Sequence, residues 1–123
     1  MARILLVDDD ESDLLLLQSM LEGEHELHTA MTGEDALKLF LHHDIDVVVT
    51  DIQMPRGDGI ELITAIKGLE ADATIIAISG QKPHKLGIAQ MAGATAILSK
   101  PLSPQLLRDA VSRAFPETEE AGE

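Results

Sequence analysis

Six side chains stand out by type and spacing: Asp8, Asp9 and Asp10 in a run, then Asp51, Ser79 and Lys100. Each follows or nearly follows an apolar stretch, namely Ile4-Leu5-Leu6-Val7, Val47-Val48-Val49-Thr50, Ile75-Ile76-Ala77-Ile78 and Ala96-Ile97-Leu98. If those stretches lie side by side, the carboxylates of Asp8, Asp9 and Asp51 converge. Two carboxylates about 4 Å apart repel by roughly 4 kcal/mol at an effective dielectric near 20. Positive charge must offset this. Lys100 supplies one charge. A hard, oxygen-loving divalent cation supplies two, and Mg²⁺ typically takes one or two carboxylates together with waters and a phosphate. Such a set suits phosphoryl transfer. The cation neutralises phosphoryl oxygens, the lysine binds another, a hydroxyl hydrogen-bonds a third, and one carboxylate attacks phosphorus in line.

The elements that must position these groups are legible as an alternation. The apolar runs at 4–7, 47–50 and 75–78 are continuous, the pattern of strands buried on both faces. Residues 25–30 are more polar and read as an edge strand, and 96–98 as a short last strand. Between them, 12–22 carries Leu14, Leu17 and Leu21 at helical spacing with Gly23 at its end. Thr32 with Asp35 resembles a capping pair for a helix holding Ala36, Leu37, Phe40 and Leu41. Asp58 with Glu61 opens another helix, 83–92 is a weaker one interrupted by Gly87, and Ser103-Pro104 caps the last, ending near Ala114. Strands alternating with helices imply a (βα)₅ α/β fold with a parallel five-stranded sheet and right-handed crossovers. The flavodoxin-like doubly wound order 2-1-3-4-5 buries the first and third strands centrally. Ligands on such sheets bind beyond the carboxyl ends of the strands, where the six residues fall.

Bulk properties narrow the function classes. The 123 residues suit one domain, with 1–115 folded and 116–123, a stretch with four Glu, as a disordered acidic tail. Twenty-two acidic against nine basic side chains give a net charge of −13, which opposes a duplex-DNA surface. With Phe40 and Phe115 the only Phe, Tyr or Trp residues, the composition argues against a base-stacking surface and for an aliphatic core. There is no cysteine, so no disulfide or thiolate metal site. No apolar run approaches the roughly 20 residues needed to span a bilayer, and Asp8 comes too early for a signal peptide. The expectation is a cytoplasmic protein without membrane or direct nucleic-acid partners.

Val7-Asp8-Asp9, Val49-Thr50-Asp51-Ile52-Gln53-Met54-Pro55, Asp58-Gly59, Ile78-Ser79-Gly80 and Ser99-Lys100-Pro101 together resemble the receiver domain of two-component response regulators, of the stand-alone chemotaxis-regulator type. The resemblance covers residues 3 to about 115, and the joint order of the fragments is what makes it specific. It implies that Asp51 is the phosphoacceptor. It makes Asp9 a direct Mg²⁺ ligand, Asp8 an acidic neighbour acting largely through water, and the backbone carbonyl of Gln53 a further ligand. Ser79 matches the hydroxyl that follows the phosphoryl group, and Lys100 the conserved cation of the family. The implied donor is a phosphohistidine on a histidine kinase or phosphotransfer protein, and the implied output is a contact with another protein. The resemblance makes the chain a signalling phosphoprotein that catalyses only its own phosphorylation and dephosphorylation. The face made by the 83–92 helix, the last strand and the last helix is the expected output surface.

Plainer readings stand beside these. Asp10 and Asp13 read as helix N-terminal charges. Ser79 or Lys100 alone would be a turn residue and a surface lysine; Pro101 sets a rigid, cis-type turn behind the latter. Of Leu14 to Leu17, four in a row exceed one helical face, so one or two should be exposed. The five histidines share no metal-ligand spacing. Two residues depart from the family, Ile97 and, as a mild change, Ser79 in place of the commoner threonine. Ile97 stands where the family usually carries an aromatic, so a ring movement coupled to the hydroxyl has no counterpart here. Gln53 and Gln81 occupy positions that tune hydrolysis, with amides able to position water. A haloacid-dehalogenase-type phosphatase is the enzyme alternative, since Asp8-Asp9-Asp10 with Ser12 approaches its nucleophile motif. It lacks an acidic pair after Lys100 and leaves Asp51 without a role. A phosphorylation-independent interaction module would need a missing site residue, and none is missing.

Overall fold

Aliphatic runs bounded by turn residues become the strands of a parallel sheet in the computed structural model, which describes residues 2–54, 58–80, 90 and 92–115, without the Asp58 side chain. The elements are β1 (Arg3–Val7), α1 (Glu11–Leu21), β2 (Glu26–Ala30), α2 (Gly33–His42), β3 (Val47–Asp51), α3 (Asp58–Leu69), β4 (Thr74–Ser79), β5 (Ala96–Ser99) and α4 (Pro104–Ala114). The five strands are ordered β2-β1-β3-β4-β5 with every pair parallel, as the alternation required. Residues 83–89 and 91 of the helix expected at 83–92, the Asp58 capping role, Pro55, Gln81 and the tail at 116–123 lie outside the described residues; 90 and 92 are helical.

Burial follows strand position. Ile4 to Val7 of β1 and all of β3 are buried, because both strands have neighbours on each side and helices on each face. The edge strands β2 and β5 bury little, which is why β2 tolerates Glu26, His28 and Thr29. Alternate residues divide the core into two layers. Ile4, Leu6, Val47, Val49, Ile76 and Ile78 face α1 and α4, meeting Leu14, Leu17, Leu21, Leu107 and Val111. Leu5, Val7, Val48, Ile75 and Ala77 face the other way, onto Ala36 of α2 and Leu62, Ile63 and Ile66 of α3. Each fully buried Leu or Ile contributes about 1.5–3 kcal/mol, so aliphatic volume replaces the missing aromatics. Phe40 and Phe115 are only partly buried, at the margins of the two layers.

The helix starts are built by short polar side chains. Asp10, Thr32 and Ser103 are the N-caps of α1, α2 and α4, each accepting a backbone N–H three residues on. The first helix therefore begins at Glu11, one residue earlier than its leucine spacing indicated, because Asp10 and not Glu11 takes the cap. Leu14 and Leu17 are buried, while Leu15 and Leu16 are 57 % and 51 % exposed. The Lys100–Pro101 peptide is cis.

One glycine determines how closely α3 approaches the sheet. A Cβ at Gly59 would collide with the Asp51 carbonyl oxygen and the Cα of Ile52, both backbone atoms that cannot turn aside. Gly59→Ala is expected to destabilise the fold by about 1–3 kcal/mol through overpacking, read as a lower urea midpoint at unchanged slope. An unchanged midpoint would mean that α3 slides freely over the end of β3. Among the described residues no helix is long and apolar enough to cross a membrane.

Candidate functional site

Parallel pairing brings all five strand ends to one edge of the sheet, and register decides which residues meet there. Val7 pairs with Thr50, so Asp8 and Asp51 each follow the same rung of neighbouring strands. Asp51 pairs with Ile78 and Ser79 with Ser99, which puts Ser79 and Lys100 one step further along. Among the described residues, Asp8, Asp9 and Asp51 form a group whose carboxylate oxygens lie within 4.8 Å of one another. Asp8 and Asp51 are 1 % and 4 % exposed, whereas Asp9 faces solvent.

The two buried carboxylates are held in the same way. Asp8 Oδ1 accepts the Asp10 N–H at 2.9 Å and Asp51 Oδ1 accepts the Gln53 N–H at 3.0 Å, each an Asx-type turn closing on the residue two ahead. That leaves both Oδ2 atoms facing the lysine, 3.6 Å from Lys100 Nζ in each case. Burial, opposed by the Asp10 N–H and reinforced by the charge of Asp51, pushes the Asp8 carboxyl up to about 6. Burial pulls Lys100 down, but the hydrogen bond to Asp13 and the charges of Asp51 and Asp8 outweigh it and raise its pKa. The Lys100 backbone N–H donates to the Ser79 carbonyl at 2.8 Å, fixing the lysine beside the end of β4.

Two features of the site were not read from the sequence. Asp13, taken there as a simple helix-end charge, has its Oδ2 3.0 Å from Lys100 Nζ. Its position three residues after Asp10, in the first turn of α1, was the available signal. The Gln53 amide, expected to be free to position water, instead accepts the Gly80 N–H at 2.7 Å through Oε1. A Cβ at Gly80 would collide with that oxygen, so the glycine is matched to the amide that crosses above it. Ile97 is partly buried and packs against the α2 and α3 layer of the core.

Ser79 is 1 % exposed, and its Oγ has no hydrogen-bond partner among the described residues. A buried hydroxyl left unpaired costs about 1–3 kcal/mol, a penalty removed when an acceptor oxygen arrives beside it. Among the described residues Asp8, Asp13 and Asp51 lie within 4.0 Å of one ammonium and Asp9 lies beside Asp8 and Asp51, so carboxylates outnumber the cation. The donor set is all oxygen, which fits a hard cation such as Mg²⁺ and not a soft metal. The arrangement thus offers a buried carboxylate oxygen, a lysine ammonium and, at the same strand-end edge, a hydroxyl without a partner among the described residues.

Residues 4–112 match the family described as the response regulator receiver domain. The chain is 39 % identical over 113 residues to the chemotaxis protein CheY of Halobacterium salinarum, covering 89 % of this chain and 93 % of that one. It is 32 % identical to the response regulator SaeR of Staphylococcus epidermidis over 87 % of its length, which is 47 % of SaeR. Among solved structures, a response regulator receiver domain protein from Clostridium thermocellum superposes with a TM-score of 0.88 at 30 % identity, covering 98 % of this chain and 99 % of that one. The response regulator TrrA of Thermotoga maritima, solved in complex with Mg²⁺–BeF, superposes with a TM-score of 0.85 at 33 % identity, covering 94 % and 100 %.

Proposed function

This chain belongs to the response regulator receiver family of two-component signalling proteins, and from that premise we propose that it accepts a phosphoryl group on Asp51 in a Mg²⁺-dependent reaction. The observation that carries this reading is the buried Ser79 Oγ, without a partner among the described residues, at the same strand-end edge as the buried Asp51 carboxylate and the Lys100 ammonium. A hydroxyl without a partner and an ammonium near a carboxylate suit an incoming group that carries several acceptor oxygens.

The donor is a phosphohistidine of a histidine kinase or phosphotransfer protein. Asp51 Oδ1 is tied to the Gln53 N–H, so Oδ2 is the freer oxygen for attack on phosphorus. The new P–O bond forms as the P–N bond to the donor histidine breaks, and the electron pair returns to the imidazole. Lys100 binds one phosphoryl oxygen and Ser79 donates its hydroxyl hydrogen to another. The carboxylates of Asp9 and Asp51, with Asp8 beside them and the Gln53 backbone carbonyl, would hold Mg²⁺. When bound, the ion would supply neutralisation of charge on the phosphoryl oxygens. The acyl phosphate is later hydrolysed in the same site, returning the protein to rest. Signal output runs through contact with another protein in the cytoplasm, since a chain of net charge −13 repels nucleic acid.

Incubation with acetyl phosphate and Mg²⁺ tests the proposal. Intact mass should rise by one phosphoryl group that hydroxylamine removes, as it removes an acyl phosphate. A hydroxylamine-stable adduct, or none, would refute the reading. Lys100→Ala should still fold, because its side chain fills no core, but should be phosphorylated about 10- to 100-fold more slowly for want of one charged donor. Wild-type rates in that variant would remove Lys100 from the site.

A further inference from the structure

Among the described residues Lys100 is the one cation set among the site carboxylates, yet its ammonium does not hydrogen-bond to Asp8 or Asp51. It donates to Asp13 at 3.0 Å and stands 3.6 Å from the other two, beyond hydrogen-bond distance. The reason lies in how α1 begins. An acidic residue three positions after an N-cap commonly reaches back to the cap's own N–H. Here the N-cap is Asp10, and its N–H is already taken by Asp8 Oδ1. The Asp13 N–H is spent on Asp10 Oδ1, which fixes its backbone. The Asp13 carboxylate is thereby released from capping and turned toward the loop that follows β5, 87 residues away. It lines, with Lys100, Leu16 and Pro101, a cavity of about 430 Å³ between α1 and that loop.

We propose that Asp13 is a positioning residue that holds Lys100 at rest, so that phosphorylation moves the ammonium from Asp13 to a phosphoryl oxygen. This rests on the phosphoacceptor reading and deepens it. Asp13 competes with the incoming group for the lysine and so sets how readily the site fills. Removing it leaves the ammonium to Asp8 and Asp51, already beside the point where the phosphoryl oxygen arrives. The gain is made equally in the bound and transition states, so it lowers the concentration of donor needed and leaves the maximal rate nearly unchanged.

The test is a double-mutant cycle read with acetyl phosphate and Mg²⁺. Asp13→Ala should lower the half-saturating donor concentration by on the order of threefold to tenfold, with the maximal rate within about twofold of wild type. Asp13→Glu should lie close to wild type. Glu11→Ala removes the same charge from the same helix turn, at an exposed side chain, and should shift half-saturation by less than about twofold because solvent screens it. In a Lys100→Ala background, Asp13→Ala should have no effect on half-saturation. An equal response to Asp13→Ala and Glu11→Ala, or an Asp13→Ala effect that survives the loss of Lys100, would overturn the proposal. A second readout needs no phosphorylation. With ¹³C at the lysine ε-carbon, Asp13→Ala should move the Lys100 signal and leave that of the remote Lys38 in place. If wild type takes up no phosphoryl group the functional reading fails, and an unmoved Lys100 signal separately refutes its placement by Asp13.

Discussion

Asp51→Asn should take up no phosphoryl group from acetyl phosphate, a loss of at least about three orders of magnitude in labelling rate, since the nucleophile itself is removed. The amide keeps the shape of the carboxyl group, and its oxygen can still accept the Gln53 N–H that now holds Asp51 Oδ1. The variant should therefore fold, so lost labelling reports chemistry and not collapse. Its stability should rise, because a buried carboxylate beside Asp8 and Asp9 is exchanged for a neutral group. Asp8 is the other buried carboxylate near Lys100, but it follows β1, a strand that pairs with β3 and not with β4, which carries Ser79. It is a poor substitute nucleophile. Undiminished, hydroxylamine-labile labelling of Asp51→Asn, with the label mapped elsewhere, would sink the assignment.

The second large effect is on stability without metal. The Asp8 carboxyl is raised from 3.8 to about 6, by burial first and then by the charge of Asp51. A carboxyl raised in the folded state favours folding while it is protonated. That contribution is complete below about pH 4 and is lost as pH rises through about 6. At pH 7.5 the ionised side chain should cost roughly 3 kcal/mol relative to a neutral one. Asp8→Asn should therefore raise the melting temperature of the metal-free protein by about 5–10 °C at pH 7.5 and by almost nothing at pH 4. A gain of equal size at both pH values would show that packing, and not charge, is the cause. Mg²⁺ acts on the same repulsion. At 10 to 100 times its dissociation constant it should add about 1–3 kcal/mol to wild type, and Asp9→Ala should lose most of that gain. Binding requires the carboxylates ionised, so the cation should bind more weakly below about pH 6. An equal Mg²⁺ response in wild type and Asp9→Ala would argue against a site built on Asp9.

Much of the architecture is written locally. The runs at β1, β3 and β4 are continuous and aliphatic because central strands are covered on both faces, and this alone requires a parallel sheet with helices on each side. Thr32 and Ser103 announce their helices because a cap needs only a hydroxyl and the backbone three residues on. The convergence of Asp8, Asp9, Asp51, Ser79 and Lys100 was legible for a related reason. Each sits at a strand's carboxyl end, and parallel strands must end at one edge. Tertiary structure decided what depends on partners distant in sequence. The Gln53 amide meets the Gly80 N–H only because β3 and β4 are adjacent. Asp13 is the clearest case. A carboxylate in the first turn of a helix is stabilised by the helix dipole whatever it faces, so its type carries no information about its target. Its pairing with Lys100 exists because Asp8 occupies the cap N–H that Asp13 would otherwise seek, and because the fold brings the loop after β5 against α1.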